Sequence, residues 1–298
     1  MEKQSFISGN ATRVTRRVNV AAVESSLMSL PILRVEEKPS DEVLCRYFHQ
    51  TERVWASQIA EAEHLDFGTA YTNADIPNVW EANAVHDARV PKGMSLAEVL
   101  ESAQAYFASK GTKGRMWILN STATPDETDP LRGHFQERQF RKLTSNVLHL
   151  KRAITLPDPP RKDLTIIPAR ASFKHMEILS REAAKKWDEP QLAVAEMMHL
   201  DDPHWDCLLA LKDQQPLATI GVLSVGDIGR IENVFVSESA RGQGVGRTMA
   251  IRAMEICARS VFKHVFITVF PDNAPALTLY DSFGFAEIGE FTSYISPE

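Results

Sequence analysis

Residues 231–256 read IENVFVSESARGQGVGRTMAIRAMEI. The run from Ile231 to Val236 has the β-branched and aromatic character of a strand, and TMAIRAMEI repeats its apolar residues at helical spacing. Between them lie glycines at 242, 244 and 246. Glycine admits positive φ, so such a loop can turn several N–H groups toward one point just before a helix N-terminus. That is an anion site suited to the pyrophosphate of a nucleotide-containing cofactor, and Arg241 and Arg247 add positive charge. A dinucleotide-binding G-x-G-x-x-G is excluded because Arg247 follows Gly246 and no acidic residue ends a second strand. A Walker loop is excluded because no G-K-[ST] follows.

Downstream come HVFITVF at 264–270, the turn Pro271-Asp272-Asn273, APALTLY at 274–280, and Phe283-Gly284-Phe285. The loop alone is a common pattern. The series strand, R-x-x-G-x-G, helix, strand, Asn, Tyr and F-G-F resembles the GNAT superfamily of N-acetyltransferases. The resemblance covers 163–298 in element order and is tight over 231–246 and 273–285.

It implies a mixed, mostly antiparallel sheet with helices on both faces, and acetyl-CoA as co-substrate without a metal. The strand before the loop would splay from its neighbour, so that pantetheine pairs with the backbone of Val234, Phe235 and Val236; an unpaired strand edge is a ready template for this. Arg241, Gly242, Gln243, Gly244, Val245 and Gly246 would hold the pyrophosphate. Asn273 would contact the pantetheine arm, or else is the cap of the following helix.

Transfer to an amine creates a tetrahedral intermediate that expels a thiolate. Tyr280 is the candidate general acid that returns a proton to sulfur; the alternative is a core aromatic among Leu277, Leu279 and Phe283. Glu232 is the candidate base, or else an ordinary strand-end carboxylate. Strict alternation would point it to the same face as Val234 and Val236. A backbone N–H, that of Val234, would hold the oxyanion. No covalent enzyme intermediate is expected.

Working outward, LPDPPRK at 156–162 has three prolines in seven residues and cannot continue a helix or a central strand. It divides a catalytic domain, 163–298, from a first domain, 32–155, with a tail at 1–31. In the first domain the pattern predicts a strand at 32–35, a helix from Asp41 to about Glu63, extended segments at 66–72 and 78–87, and a helix opened by a Ser95/Glu98 capping box. A strand at 116–120, a helix at 130–140 and a strand at 146–152 follow.

The two halves align. PLRGHFQERQF (130–140) falls on PALTLYDSFGF (275–285), with Phe135 on Tyr280 and Phe140 on Phe285. WEANAV (80–85) falls on IENVFV (231–236), with Glu81 on Glu232. The expected fold class is therefore α/β, two GNAT-like domains with a decayed first copy. That copy has Phe135 in place of the tyrosine and ARVPKGM (88–94) in place of the glycine loop.

The chain has 298 residues with net charge −6, which argues against general nucleic-acid binding. Cys45, Cys207 and Cys257 are scattered and read as small buried apolar residues of a cytoplasmic protein. No apolar run reaches the roughly 20 residues of a membrane span. His264 reads as structural. His199 and His204 beside Asp201 and Asp202 match no metal-ligand spacing. Glu182, Asp188, Glu189 and Glu196 lie where the resemblance puts the acceptor-site helices and would favour a cationic acceptor, or else form an ordinary solvated face; Trp187 would line an acceptor pocket, or else is core. The expected partner is a small-molecule or protein amine, with no nucleic acid and no membrane, in a monomer or homodimer. Open alternatives are a non-catalytic acyl-CoA sensor, a protein lysine or N-terminal acetyltransferase, and a transferase of longer acyl chains.

Overall fold

The computed structural model describes residues 38–297; the expected tail and the strand at 32–35 lie outside them. The first half contains α1 (Asp41–Ser57), β1 (Glu61–Leu65), β2 (Gly68–Thr72), β3 (Ala84–Ala88), α2 (Leu96–Ser109), β4 (Met116–Leu119), α3 (Pro125–Glu137) and β5 (Arg141–Leu150). After the segment 156–162, which carries no strand or helix, come β6 (Thr165–Pro168), α4 (Phe173–Ala184), α5 (Gln191–His199), β7 (Trp205–Lys212), β8 (Gln215–Val225), β9 (Ile228–Val236), α6 (Val245–Ser260), β10 (His264–Val269), α7 (Ala274–Phe283) and β11 (Phe285–Ile295).

Several expected boundaries move in the first half: the helix read at 130–140 is Pro125–Glu137 and the strand read at 146–152 is Arg141–Leu150. The helix from Asp41 ends at Ser57, and Glu61–Leu65 is a strand. EAEHL has no apolar alternation because β1 is an edge strand, four of whose five residues are exposed. The extended segment expected at 78–87 contracts to Ala84–Ala88. The Ser95/Glu98 capping box forms as read, with the Ser95 backbone N–H donating to Glu98 Oε2 at 2.7 Å.

All eleven strands of the described residues join one sheet in the order β1-β2-β3-β4-β11-β5-β10-β9-β8-β7-β6. The series β1-β2-β3-α2-β4-α3-β5 repeats as β7-β8-β9-α6-β10-α7-β11. In each set three strands pair antiparallel and the third pairs parallel with the fourth. The fourth strand then pairs with the last strand of the other half: β4 with β11, and β10 with β5. β5 and β11 run antiparallel along ten residue pairs at the centre. Each half thus completes its sheet with a strand from the other.

Helices cover both faces, because each strand buries two rows of side chains. In the second half, α6 and α7 pack Val245, Met249, Met254 and Phe283 against Ile220, Ile231, Val265 and Ile267. On the opposite face α1 and α4 bring Trp55, Met176 and Leu179 onto Trp205, Leu209 and Leu223, and Leu44 and Phe48 onto Val147 and Phe266. The first half has its own core of Val99, Phe107, Leu131 and Phe135 against Phe67, Val85 and Trp117.

Candidate active site

β9 and β10 pair in parallel only from Ile228/His264 to Ile231/Ile267. Beyond that point both continue, to Val236 and Val269, without pairing. The two strands therefore part, and the wedge between them opens into a cleft of about 1600 Å³ lined by Glu232, Val234, Phe235, Val236, Thr268, Phe270, Asn273 and Tyr280. In the first half, β3 and β4 pair as far as Ala88/Leu119, the ends of both strands, so no corresponding wedge opens.

A bulge shapes β9. Glu232 faces Gly221 and Phe235 faces Thr219, so Asn233 and Val234 together oppose Ile220; Asn233 has φ of 53°. The expected alternation fails here. Val236 packs with Ile231 on the α6 face, whereas Phe235 joins Trp55 and Met176 on the other. Glu232 thus does not share a face with Val236, because the extra residue reverses the order of sides after Asn233. Val234 is left 43% exposed at the cleft.

The glycine loop closes one end. Gly242 and Gly244 have φ of 71° and 78°, the left-handed region that favours glycine. Gly244 is the N-cap of α6, and no side chain caps that helix, so its first-turn N–H groups are left for another acceptor. Arg241, Gly242, Gly244, Gly246 and Arg247 line the cleft. Gln243 and Val245 do not: Gln243 Nε2 donates to Ser239 O at 2.7 Å, and the Val245 side chain is buried in the core. The segment after the prolines lies over this loop, with the Arg161 backbone N–H donating to Thr248 Oγ1 at 3.2 Å and its guanidinium to Gln243 O at 3.3 Å.

Asn273 caps α7, its side chain accepting from the Ala276 N–H at 3.2 Å, and it also borders the cleft. Tyr280 is 2% exposed and belongs to the core, yet it too lines the cleft and its hydroxyl has no hydrogen-bond partner. Burial, and then the charge of Glu232, raise its phenol above the ordinary range, so the proton is held. Phe135, its aligned residue, is enclosed by Trp117, Phe140 and Tyr294.

Around Glu232 the structure gathers Arg230 and Glu52, which the sequence did not single out, together with Glu81, its aligned residue, and Glu196, read as an acceptor-site residue. Arg230, 2% exposed, donates to Glu232 Oε2 from Nε at 2.9 Å and pairs with Glu52 of α1 at 2.7 Å. Its guanidinium also lies 5.5 Å from the ring centroids of Phe48 and Trp55. Glu196 of α5 accepts from Asn233 Nδ2. Burial raises Glu52 to about 7 and Glu196 to about 8, and it also raises Glu81. Glu52, Trp55, Trp80, Glu81 and Arg230 line the same cleft as Tyr280. The visible signal for Arg230 was a cation in the strand segment IGRI at 228–231; Glu52 sat in a helix pattern without distinction.

The remaining candidates lie elsewhere or are structural. His199 is buried and stacked on Trp55 with centroids 3.6 Å apart, while His204 pairs with Asp202 at 3.0 Å. Among the described residues no group of three or more His, Cys, Asp or Glu side chains is arranged to hold a metal ion. Cys207 and Cys257 are buried, Cys45 is half-buried, and all three are free thiols. No helix of the described residues is long and apolar enough to cross a membrane. Trp187 lines the cleft, 5.6 Å from Trp80 between ring centroids, as does Glu182; Asp188 and Glu189 do not.

Comparison with known proteins agrees with this geometry. Residues 173–285 match the model of the Acetyltransferase (GNAT) family. Over 80 residues the chain is 35% identical to an uncharacterized N-acetyltransferase, YobR, of Bacillus subtilis, covering 26% of this chain and 32% of that protein. Over 85 residues it is 31% identical to a Bacillus subtilis protein provisionally named a ribosomal protein bS18-alanine N-acetyltransferase, covering 28% and 56%. The chain thus spans between a third and just over half of the length of these relatives. In fold it is similar to a GCN5-related N-acetyltransferase from Kribbella flavida, with TM-score 0.61, 16% identity, and 85% and 95% of the two chains covered. A GCN5-related N-acetyltransferase-like protein from Streptococcus suis gives 0.52 at 12% identity over 86% and 98%. The wedge between β9 and β10 and the glycine loop both lie within the segment, residues 173–285, that matches the GNAT family model.

Proposed function

We propose that this chain is an N-acetyltransferase that acetylates a primary amine at the wedge between β9 and β10. The observation that carries the reading is the Tyr280 hydroxyl, buried and without a partner, in the same cleft as the Glu232 carboxylate and the loop of Gly242 and Gly244. A buried donor left unsatisfied is costly, and such costs recur where a ligand completes the site.

The cleft fits acetyl-CoA. Gly242, Gly244, Gly246, Arg241 and the uncapped N-terminus of α6 would take the pyrophosphate, and the unpaired edge of β9 at Val234 to Val236 would take the amide-bearing arm. Asn273 stands at the rim for the same arm. Acetyl-CoA supplies the acetyl thioester, so that an ammonium and a thioester give an amide, a thiol and one proton. Glu232 removes a proton from the entering ammonium, freeing its lone pair. Arg230 fixes that carboxylate from one side. Tyr280, whose proton is held by burial, donates to the leaving sulfur and is reprotonated from solvent. Direct transfer needs no covalent enzyme intermediate. The division into segments 32–155 and 163–298 is proposed as the unit of duplication, with one working site in the second.

Calorimetric titration of acetyl-CoA into the full chain tests this. One site per chain is expected, because only the second half has a wedge and a glycine loop. Two sites would give the first half a function of its own, and no binding would overturn the acetyltransferase reading.

A further inference from the structure

We propose that the acceptor is a diamine or polyamine, bound where Glu52 and Glu81 of the first half meet Glu232 of the second. This rests on the acetyltransferase reading above and names the substrate class of that site. The first observation is the charge. Arg230 faces three carboxylates, those of Glu52, Glu81 and Glu232, and its ion pairs go to Glu52 at 2.7 Å and Glu232 at 2.8 Å. Glu81 and Glu196 form no ion pair among the described residues. One cation serves these three carboxylates in a setting that desolvates them, and a fourth, Glu196, lies near enough to Glu81 and Glu232 to feel their charge. Folding by itself gains nothing from that arrangement, since unpaired buried charge destabilises.

The second observation is independent of the carboxylates. The Tyr280 hydroxyl, 2% exposed and unpartnered, lines the same cleft as Glu52, Glu81 and Glu232. It marks where the ligand's reacting end lies, and the carboxylates of the first half mark where the rest of it lies. The aligned glutamates of the two halves, Glu81 and Glu232, thus open on one cavity, with Trp55 and Trp80 beside them as apolar walls for a methylene chain.

A second nitrogen is required by the chemistry. A monoamine must give up its proton before it can attack, so its charge compensation is lost as the reaction begins. A second ammonium keeps its charge throughout and stays with the carboxylates. The site therefore anchors one end of the acceptor as a cation while the other end becomes a neutral nucleophile. This also gives the first half, which has no wedge of its own, a part in the pocket.

The test is calorimetric titration of the full chain with 1,4-diaminobutane, spermidine and 1-aminobutane at pH 7.5. The diamine and triamine are expected to bind at least about tenfold more tightly than the monoamine, as for one extra charged hydrogen bond. Glu81→Gln, which leaves both ion pairs of Arg230 in place, is expected to remove about tenfold of that preference while acetyl-CoA affinity stays within about twofold. Equal affinities for mono- and diamine in the unaltered protein overturn the proposal, and need no variant to fold. An unchanged preference in a folded Glu81→Gln protein overturns it as well. Diamine binding without acetyl-CoA binding would sink the acetyltransferase reading and leave the polycation site. Acetyl transfer to monoamines with no preference for diamines would do the reverse.

Discussion

Arg230 of β9 and Glu52 of α1 meet at 2.7 Å across the two halves of the chain, and the same guanidinium holds Glu232 at 2.8 Å. Removing the cation leaves carboxylates buried without compensation. Arg230→Met is expected to destabilise by about 3–5 kcal/mol at pH 7.5. Part of the loss should return near pH 5.5, where the carboxylates take up protons. Urea unfolding at the two pH values measures it; equal losses would contradict the account.

Tyr280→Phe separates fold from chemistry. The lost hydroxyl has no partner, so the variant should match or exceed the parent stability by up to about 1 kcal/mol. Turnover should fall by about 100- to 10,000-fold with acetyl-CoA affinity nearly unchanged. A variant that keeps full turnover would exclude the phenol as the acid.

Two glycines give opposite expectations. At Gly244, φ is +78° and a Cβ would come within 3.3 Å of Pro160 Cγ. Alanine there should cost about 1 kcal/mol and weaken acetyl-CoA binding. At Gly133, inside α3, a Cβ meets nothing within 4 Å. Gly133→Ala should stabilise by about 0.5–1 kcal/mol and leave binding alone. Thermal melting and calorimetry on both variants check the contrast.

Stability should peak near about pH 6.5. Burial first of all lowers His86 and His199 to about 3 and His149 to about 4, from 6.5. Their contribution is whole above pH 6.5 and is lost as pH falls toward 3–4, because only the unfolded chain takes up protons. Glu52 and Glu196 run the other way. Burial raises them from 4.5 to about 7 and about 8, so their contribution is whole below pH 4.5 and gone once pH passes 7–8. Glu196→Gln should shrink the alkaline loss specifically. An alkaline limb as steep as the parent's would refute the assignment.

The exchange of β5 and β11 predicts a single unfolding transition for residues 38–297. A fragment ending before Phe285 lacks the strand that pairs with both β4 and β5. It should therefore lose the structure of the first half as well as the second. Circular dichroism of that fragment, and of residues 38–155 alone, tests this; a stably folded 38–155 would contradict it.

The second half was legible in the sequence because its signals are local. Apolar runs marked β9 and β10 to within a few residues, and the glycines between Val236 and Met249 required a turn before a helix whatever lay around them. The likeness of the segments around Phe135 and Tyr280 is local in the same way, since each residue lies in a helix that a strand follows. The edge strand β1 was not, because solvent on its faces erased the alternation that marks a strand. The bulge at Asn233 was not either, since one residue in the left-handed region leaves no periodic trace, yet it decides which face Glu232 and Val236 occupy. What only the tertiary structure decided is the company Glu232 keeps. Glu52 and Glu81 precede it by 180 and 151 positions (232 − 52 and 232 − 81). They reach its cleft because the halves share one sheet through β5 and β11, and long-range pairing of that kind is written in no short stretch of sequence.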